Sequence, residues 1–438
     1  MSGNPDPMVV KETHTIEQVA QPVAAVTVKS PEDDIPDGGY GWAIIACVAV
    51  INFHTWGVAT SYGIYLSYYL EANTFKHATP LDFALIGGLE FAVTMLLAPI
   101  VTPICKHLQL RPTMSIGVVI HALGYICAGF SEGRVWALYL TQGVMIGVGL
   151  SFIFVPAAAT LPQWFWKRRT MAVGLTSAGA GLGGLVFSLA TNAMIRHLGF
   201  PWALRITGIL CFVNNSIATF FLRDRNAQIR PTQNGFAIYL LKRKGVWMLL
   251  GHSFFVMLGY ISVLYSVSSF AVSLGIPQSR ASLATAFLNL GTFIGRPVVG
   301  VTSDRYGRIK VAFYCAFISG ILCFALWIPT NSFGLLVLLT IVIGLIMGAY
   351  WTTISPLAAE VAGIKEVPSL LSLCWLSIVL PTAFAEVIAL YLRRPKSARP
   401  YLYVQLFSGI TYLIAALFLL ELWRMKRNEK REKMRFAG

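Results

Sequence analysis

Apolar runs of similar length recur along the chain at 41–66, 84–105, 113–131, 135–159, 170–195 and 203–222. After a polar stretch they resume at 246–272, 283–303, 309–329, 333–359, 368–391 and 402–423. About 20 apolar residues cross the hydrocarbon core of a bilayer as a helix, so each run has the length of one span. A span must satisfy its own backbone hydrogen bonds, which leaves helices or a closed barrel. The ten-residue alternation of barrel strands is absent from these runs. The pattern predicts an all-α membrane protein of 12 transmembrane helices arranged as two six-helix bundles. The expected domains are a disordered cytosolic tail over 1–40, a first bundle over 41–222, a linker over 223–245, a second bundle over 246–423 and a basic cytosolic tail over 424–438.

Composition strengthens the membrane reading. Charged residues make up 12% of the chain, against about 25% in soluble domains, too few to cover a water-soluble surface. The net charge of +15 raises nucleic acid as a partner, but the charges sit in short loops between apolar runs and not on one soluble face. Their distribution sets orientation instead. Loops on the side of the termini and linker carry 22 Lys and Arg against eight in the opposite loops, which places both termini in the cytosol of a plasma-membrane protein. Arg393, Arg394, Lys396 and Arg399 stand out as a cluster on the wrong side. The first forty residues lack the basic start and apolar run of a secretory signal. All seven cysteines fall in apolar runs without CxxC spacing, so neither disulfides nor a metal site is expected. No nucleotide loop, H-E-x-x-H or Ser/His/Asp set is present, so neither a cofactor nor enzyme chemistry is expected.

Three motifs add detail. Gly300-x-x-x-Asp304-Arg305-x-Gly307-Arg308-x-Lys310 joins the eighth and ninth runs. It resembles the cytosolic loop motif of the major facilitator superfamily, whose two six-helix bundles hold substrate between them near the midplane. An acid flanked by bases beside a Gly turn can latch helix ends across the bundle; the alternative is an ordinary basic loop. The corresponding first-half loop, Lys106 to Arg111, lacks the acid. Asp37-Gly38-Gly39-Tyr40-Gly41-Trp42 resembles the helix-one signature of the monocarboxylate transporter family. There Asp37 is expected to satisfy N–H groups at the start of its own helix. Trp164-Phe165-x-Lys167-Arg168-Arg169, continuing through Gly174, Gly179, Gly181, Gly183 and Gly184, is similar to a second signature of that family. Its glycines would let helix five approach a neighbour closely. The similarity covers residues 36–423 and is nearest in texture to the fungal branch.

Ionisable groups inside spans carry the functional expectation, because burying them in a membrane is expensive. The resemblance implies that Arg296, before Pro297, pairs with a substrate carboxylate; a guanidinium holds both carboxylate oxygens. The alternatives are a structural ion pair or a side chain snorkelling to the interface. The family's proton-coupling acid, four residues earlier, is Thr292 here, and its helix-one lysine is Thr60, so both usual proton-linked partners are missing. Asn289, Thr292 and Arg296 share one helix face. Trp351 falls where family members often place a substrate-facing aromatic, with packing as the alternative. Glu90 on the second span is the substitute proton carrier, with His54 at similar depth as its partner; a structural carboxyl is the other reading. Glu360, Glu386, His121, His252 and Arg205 read as structural.

These features predict a secondary transporter moving a small organic anion across the lipid bilayer by alternating access, with protons as a possible second cargo. The rival is the same machine exporting a larger organic acid or secondary metabolite, or importing a non-carboxylate. A transporter-like receptor is disfavoured by the short tails at 1–36 and 424–438.

Overall fold

Each apolar run is helical. The computed structural model describes residues 35–71, 75, 78–131 and 133–436, and among them there is no strand. Among the described residues, eleven helices are long and apolar enough to cross a membrane. They are α1 Gly41–Tyr65, α3 Leu110–Ala128, α4 Val135–Gln163, α5 Arg169–Leu198, α6 Phe200–Phe221, α7 Lys244–Ser273, α8 Leu283–Tyr306, α9 Arg308–Trp327, α10 Phe333–Ala362, α11 Ile364–Leu392 and α12 Leu402–Glu429. The twelfth span, α2, is a pair of helices, Leu81–Leu96 and Ala98–Leu108, that meet at 49°. Pro99 opens the second piece; its missing N–H and fixed φ favour a fresh helix start over continuation. α1 is likewise broken, at Thr55 and Ser61. The hydroxyls of Thr55 and Ser61 donate 2.7 Å bonds to the carbonyls of Ile51 and Val58, back-bonding that bends helices.

α5 is the axis of the assembly. One line of its glycines faces α1: Gly179 lies on the Ala49 carbonyl, and Gly183 on Gly57 and the Phe53 carbonyl. A second line faces α8, with Gly174 on the Arg296 carbonyl and Gly181 on Phe293. A Cβ at any of these positions would run into backbone, so small residues set the helix spacing. α5 belongs to the first six spans and α8 to the second six, so this contact joins the two bundles.

The linker is a strap. Gly235 sits on Pro99 in the elbow of α2. Beyond the elbow, Thr232 N–H donates to the Lys365 carbonyl at 2.8 Å and Asn234 N–H to Ser369 Oγ at 3.0 Å. The Tyr239 hydroxyl donates to Glu366 at 2.6 Å. These bonds hold the linker across the start of α11.

Two expectations about the chain ends change. The tail expected to be disordered over 1–40 lies outside the described residues at 1–34, but its last part is packed. Ile35 is buried with Ile229 and Ile364, against Trp166, because an apolar residue here finds a pocket between loops. At the other end the last helix does not stop at 423 but runs from Leu402 to Phe436. Pairs such as Lys426–Glu429 at 3.0 Å support the extension. Within the cluster at 393–399, Arg393 lies over the Tyr401 ring at 5.1 Å and Arg394 over Tyr403 at 4.3 Å. Cation–π contacts of this kind suit arginines at a membrane edge.

Candidate functional site

A cavity lies between the two bundles, lined by residues of both. Its walls come from α1, α2, α4 and α5 of the first bundle and α7, α8, α10 and α11 of the second. All five expected substrate-contacting residues line it: Arg296, Asn289, Thr292, Trp351 and Thr60.

Arg296 is 8% exposed. Its Nη1 donates to the Ser177 carbonyl on α5, Tyr260 of α7 lies within electrostatic reach of the guanidinium, and Gly348 of α10 lies against Nε. Nε has no hydrogen-bond partner among the described residues, nor does any acid there form an ion pair with this arginine. Arg296 is the only ionisable Lys, Arg, His, Asp or Glu among the cavity-lining residues. A buried charge without a counter-ion carries a large desolvation penalty.

The polar wall continues from α8 to α1. Thr292 donates to the Asn289 carbonyl at 2.8 Å and Thr60 to the Gly57 carbonyl at 2.8 Å. The Asn289 amide and Thr60 Oγ1 both lie beside Gly184 of α5. Asn52, also in the wall, donates to the Thr176 carbonyl at 2.9 Å.

Toward the end that carries the basic loops, the second-half motif crosses between bundles. Asp304 accepts from the backbone N–H groups of Thr170 and Met171, at 3.1 and 2.8 Å, in the first turn of α5. Arg308 pairs with Asp304 at 3.3 Å and donates to the Trp166 carbonyl at 2.7 Å. Gly300 packs on Thr170 and Met171, and Gly307 turns the chain at φ +107°. Arg305 lies over the Tyr306 ring.

Asp37 differs from expectation. Its carboxylate accepts from the N–H groups of Trp166, Lys167 and Arg168, at 2.7, 2.9 and 3.3 Å, and not from the start of α1. Asp37 has φ +50°, a turn that carries its side chain away from its own helix. Around it, Tyr40 donates to the Phe221 carbonyl at 2.7 Å and packs on Trp164. Trp42 meets Phe165 edge-on, and Gly41 lies against the same ring. Arg169 is buried and donates to the Phe165 carbonyl at 3.1 Å. The two signatures, more than a hundred residues apart in sequence, form one structural unit.

Residues 44–277 and 248–437 match the Major Facilitator Superfamily. The chain belongs to that superfamily. The probable transporter MCH2 of Saccharomyces cerevisiae is 35% identical over 385 residues, 86% of this chain and 81% of that protein. The uncharacterized transporter ESBP6 of the same yeast is 35% identical over 405 residues, 89% of this chain, which spans 59% of that protein's length. The Fujikurins efflux protein of Gibberella fujikuroi is 26% identical, with 98% of this chain and 93% of that protein covered. Among solved structures, the major facilitator transporter FucP in the outward conformation has a TM-score of 0.69 at 13% identity. It covers 86% of this chain and 98% of its own. The chain is therefore a major facilitator transporter, and not an enzyme.

In this major facilitator protein the proton-coupling candidates lie away from the cavity. Glu90 is buried at 4% exposure, with Oε1 unpartnered among the described residues. His54 does not pair with it: Nδ1 bonds the Val50 carbonyl at 2.9 Å, and the ring packs on Phe53 and Phe187. Similar depth on two helices does not fix which way each side chain points. His252 binds the Ala415 carbonyl at 3.1 Å, and Arg205 donates to the Gly129 carbonyl while lying 3.9 Å over Phe130. No cluster of three or more His, Cys, Asp or Glu placed to hold a metal occurs among the described residues. Sequence reasoning missed much of the cavity: Trp56, Phe91, Phe154, Ser177, Tyr260 and Trp375 line it. Each sits in an apolar run, where the charge signal that exposed Arg296 does not exist.

Proposed function

We propose that the transporter carries organic carboxylates by alternating access, with Arg296 as the partner of the anion. The observation that carries this reading is the lone guanidinium: buried, in the wall of the central cavity, and without an acidic partner among the described residues. The helix-one and helix-five signatures support assignment to the monocarboxylate branch. The Asp304 contact with α5 serves as a latch that holds the basic end closed and must open when the bundles rock. The basic end faces the cytosol of a plasma membrane, as the excess of Lys and Arg there supports.

Coupling to protons falls to Glu90, since Thr292 and Thr60 stand at the usual positions. A buried carboxyl with a free oxygen can take up a proton in one conformation and release it in the other.

A second reading, export of a larger organic acid, draws support from a relative named as an efflux protein for fujikurins. Labelled acids supplied to reconstituted vesicles, with and without an imposed pH gradient and from either side, separate the readings. Failure of every acid to move under any gradient would overturn the carboxylate assignment.

A further inference from the structure

We infer that the substrate joins its carboxylate to a flat aromatic or conjugated body, one ring-length away, and is not a short aliphatic acid. This rests on reading Arg296 as the anion site.

The cavity has two unlike walls. On one stand Arg296, Asn289, Thr292 and Ser177, from α5 and α8. The other is built of aromatic rings from both bundles. Trp56 lies 4.8 Å from Phe91, 5.2 Å from Phe154 and 5.7 Å from Trp351. Trp375 stacks on Trp351 at 5.9 Å with 25° between planes, and lies 5.5 Å from Phe154. A continuous cluster of aromatic rings, mostly tilted or edge-on to one another, thus crosses from α1, α2 and α4 to α10 and α11, and all five rings line the cavity. Trp56 Nε1 and Trp375 Nε1 are buried without a hydrogen-bond partner among the described residues, a polar cost that burial in lipid or core does not repay, so the convergence of five rings on the cavity that holds Arg296 is a feature of the cavity. Rings prefer offset or edge-on ring partners at such separations.

Tyr260 gives the scale. It lines the same cavity as Arg296, within electrostatic reach of the guanidinium, and its ring lies 6.4 Å from Trp351. One phenol bridges the charged wall and the aromatic wall, so a carboxylate seated on Arg296 and joined to a ring at that spacing meets the tryptophans. A two- or three-carbon acid reaches the guanidinium and leaves the rings to water. The ring contacts between Trp56 and Trp351 also join the bundles, so a flat ligand between them replaces ring–ring contacts that must part when the bundles rock.

The test measures binding to the purified full-length protein with four probes: cinnamate, 3-cyclohexylpropanoate of the same size without the π face, lactate, and neutral cinnamamide. Cinnamate is expected to bind at least about tenfold more tightly than lactate, and several-fold more tightly than the cyclohexyl acid. Trp351→Leu is expected to erase most of that advantage, and Trp351→Phe to keep it, which separates loss of the ring from loss of the fold. Equal binding of lactate and cinnamate, or an unchanged ratio in Trp351→Leu, overturns this inference and leaves the carboxylate reading standing. Cinnamamide binding as tightly as cinnamate overturns the carboxylate reading and leaves the aromatic site standing. Binding of none of the four overturns both.

Discussion

The carboxylate of Asp304, at the end of α8, accepts the backbone N–H of Met171 at 2.8 Å, in the first turn of α5. The N-terminal turn of a helix has free N–H groups and a partial positive charge, so one acid from the second bundle holds a helix end of the first. The corresponding loop in the first half, Lys106 to Arg111, has no acid to play that part. There the linker takes over, through Thr232, Asn234 and Tyr239. Two contacts at the same basic end are therefore fastened by different chemistry.

Loss of the Asp304 carboxylate should loosen the basic end. Hydrogen bonds to charged groups contribute about 1.5–3 kcal/mol. Asp304→Ala is expected to speed hydrogen exchange at the Thr170 and Met171 amides by about tenfold or more, and to slow transport by displacing the resting equilibrium. Unchanged exchange at those two amides would show that the contact holds nothing closed.

Asp37 is expected to act on stability. Asp37→Ala strips acceptors from the N–H groups of Trp166, Lys167 and Arg168 and should lower the melting temperature of the detergent-solubilised protein by several degrees. Asp37→Asn, which keeps one acceptor oxygen, should fall between. Equal melting of wild type and Asp37→Ala would contradict the role.

Gly184 is expected to guard the polar end of the cavity. Any Cβ there meets Thr60 Oγ1, so Gly184→Ala should cut substrate binding several-fold. Thr60→Ala in the same chain should restore part of it by removing the obstacle. A double variant no better than the single one would place the defect elsewhere.

Glu90 carries the pH prediction. If its carboxyl carries the proton, acid uptake into vesicles rises as the outside is acidified, because more carriers load with a proton there. Glu90→Gln, permanently neutral, should give uptake that no longer varies with pH. A variant that keeps the wild-type pH profile would make Glu90 a structural carboxyl.

What the sequence reveals, and what it hides, follows from which signals survive along a helix. Spans are legible because the bilayer demands a length of apolar chain. Arg296 is legible because a lone charge in such a run is conspicuous. The aromatic wall is not: Trp56, Phe154 and Trp375 lie in helices that are apolar on every side, so no periodicity marks which face meets a cavity. Asp37 misleads for another reason. Capping is a local rule, but at φ +50° its side chain serves N–H groups about 130 residues away. The expected His54–Glu90 pair fails because shared depth carries no information about direction. The apolar run ends at 423 but the helix continues to Phe436, because charged residues continue a helix readily once it leaves the membrane, here with Arg424 and Glu421 paired at 3.6 Å.

The most direct test of Arg296 as the anion site is counterflow of a labelled carboxylate in vesicles, comparing wild type with Arg296→Gln. Truncating one partner of a buried charge pair costs about 2–5 kcal/mol, so binding of the acid should weaken by at least about thirtyfold. Binding of the matching neutral amide should change little. Carboxylate counterflow by Arg296→Gln at the wild-type affinity and rate would contradict the account.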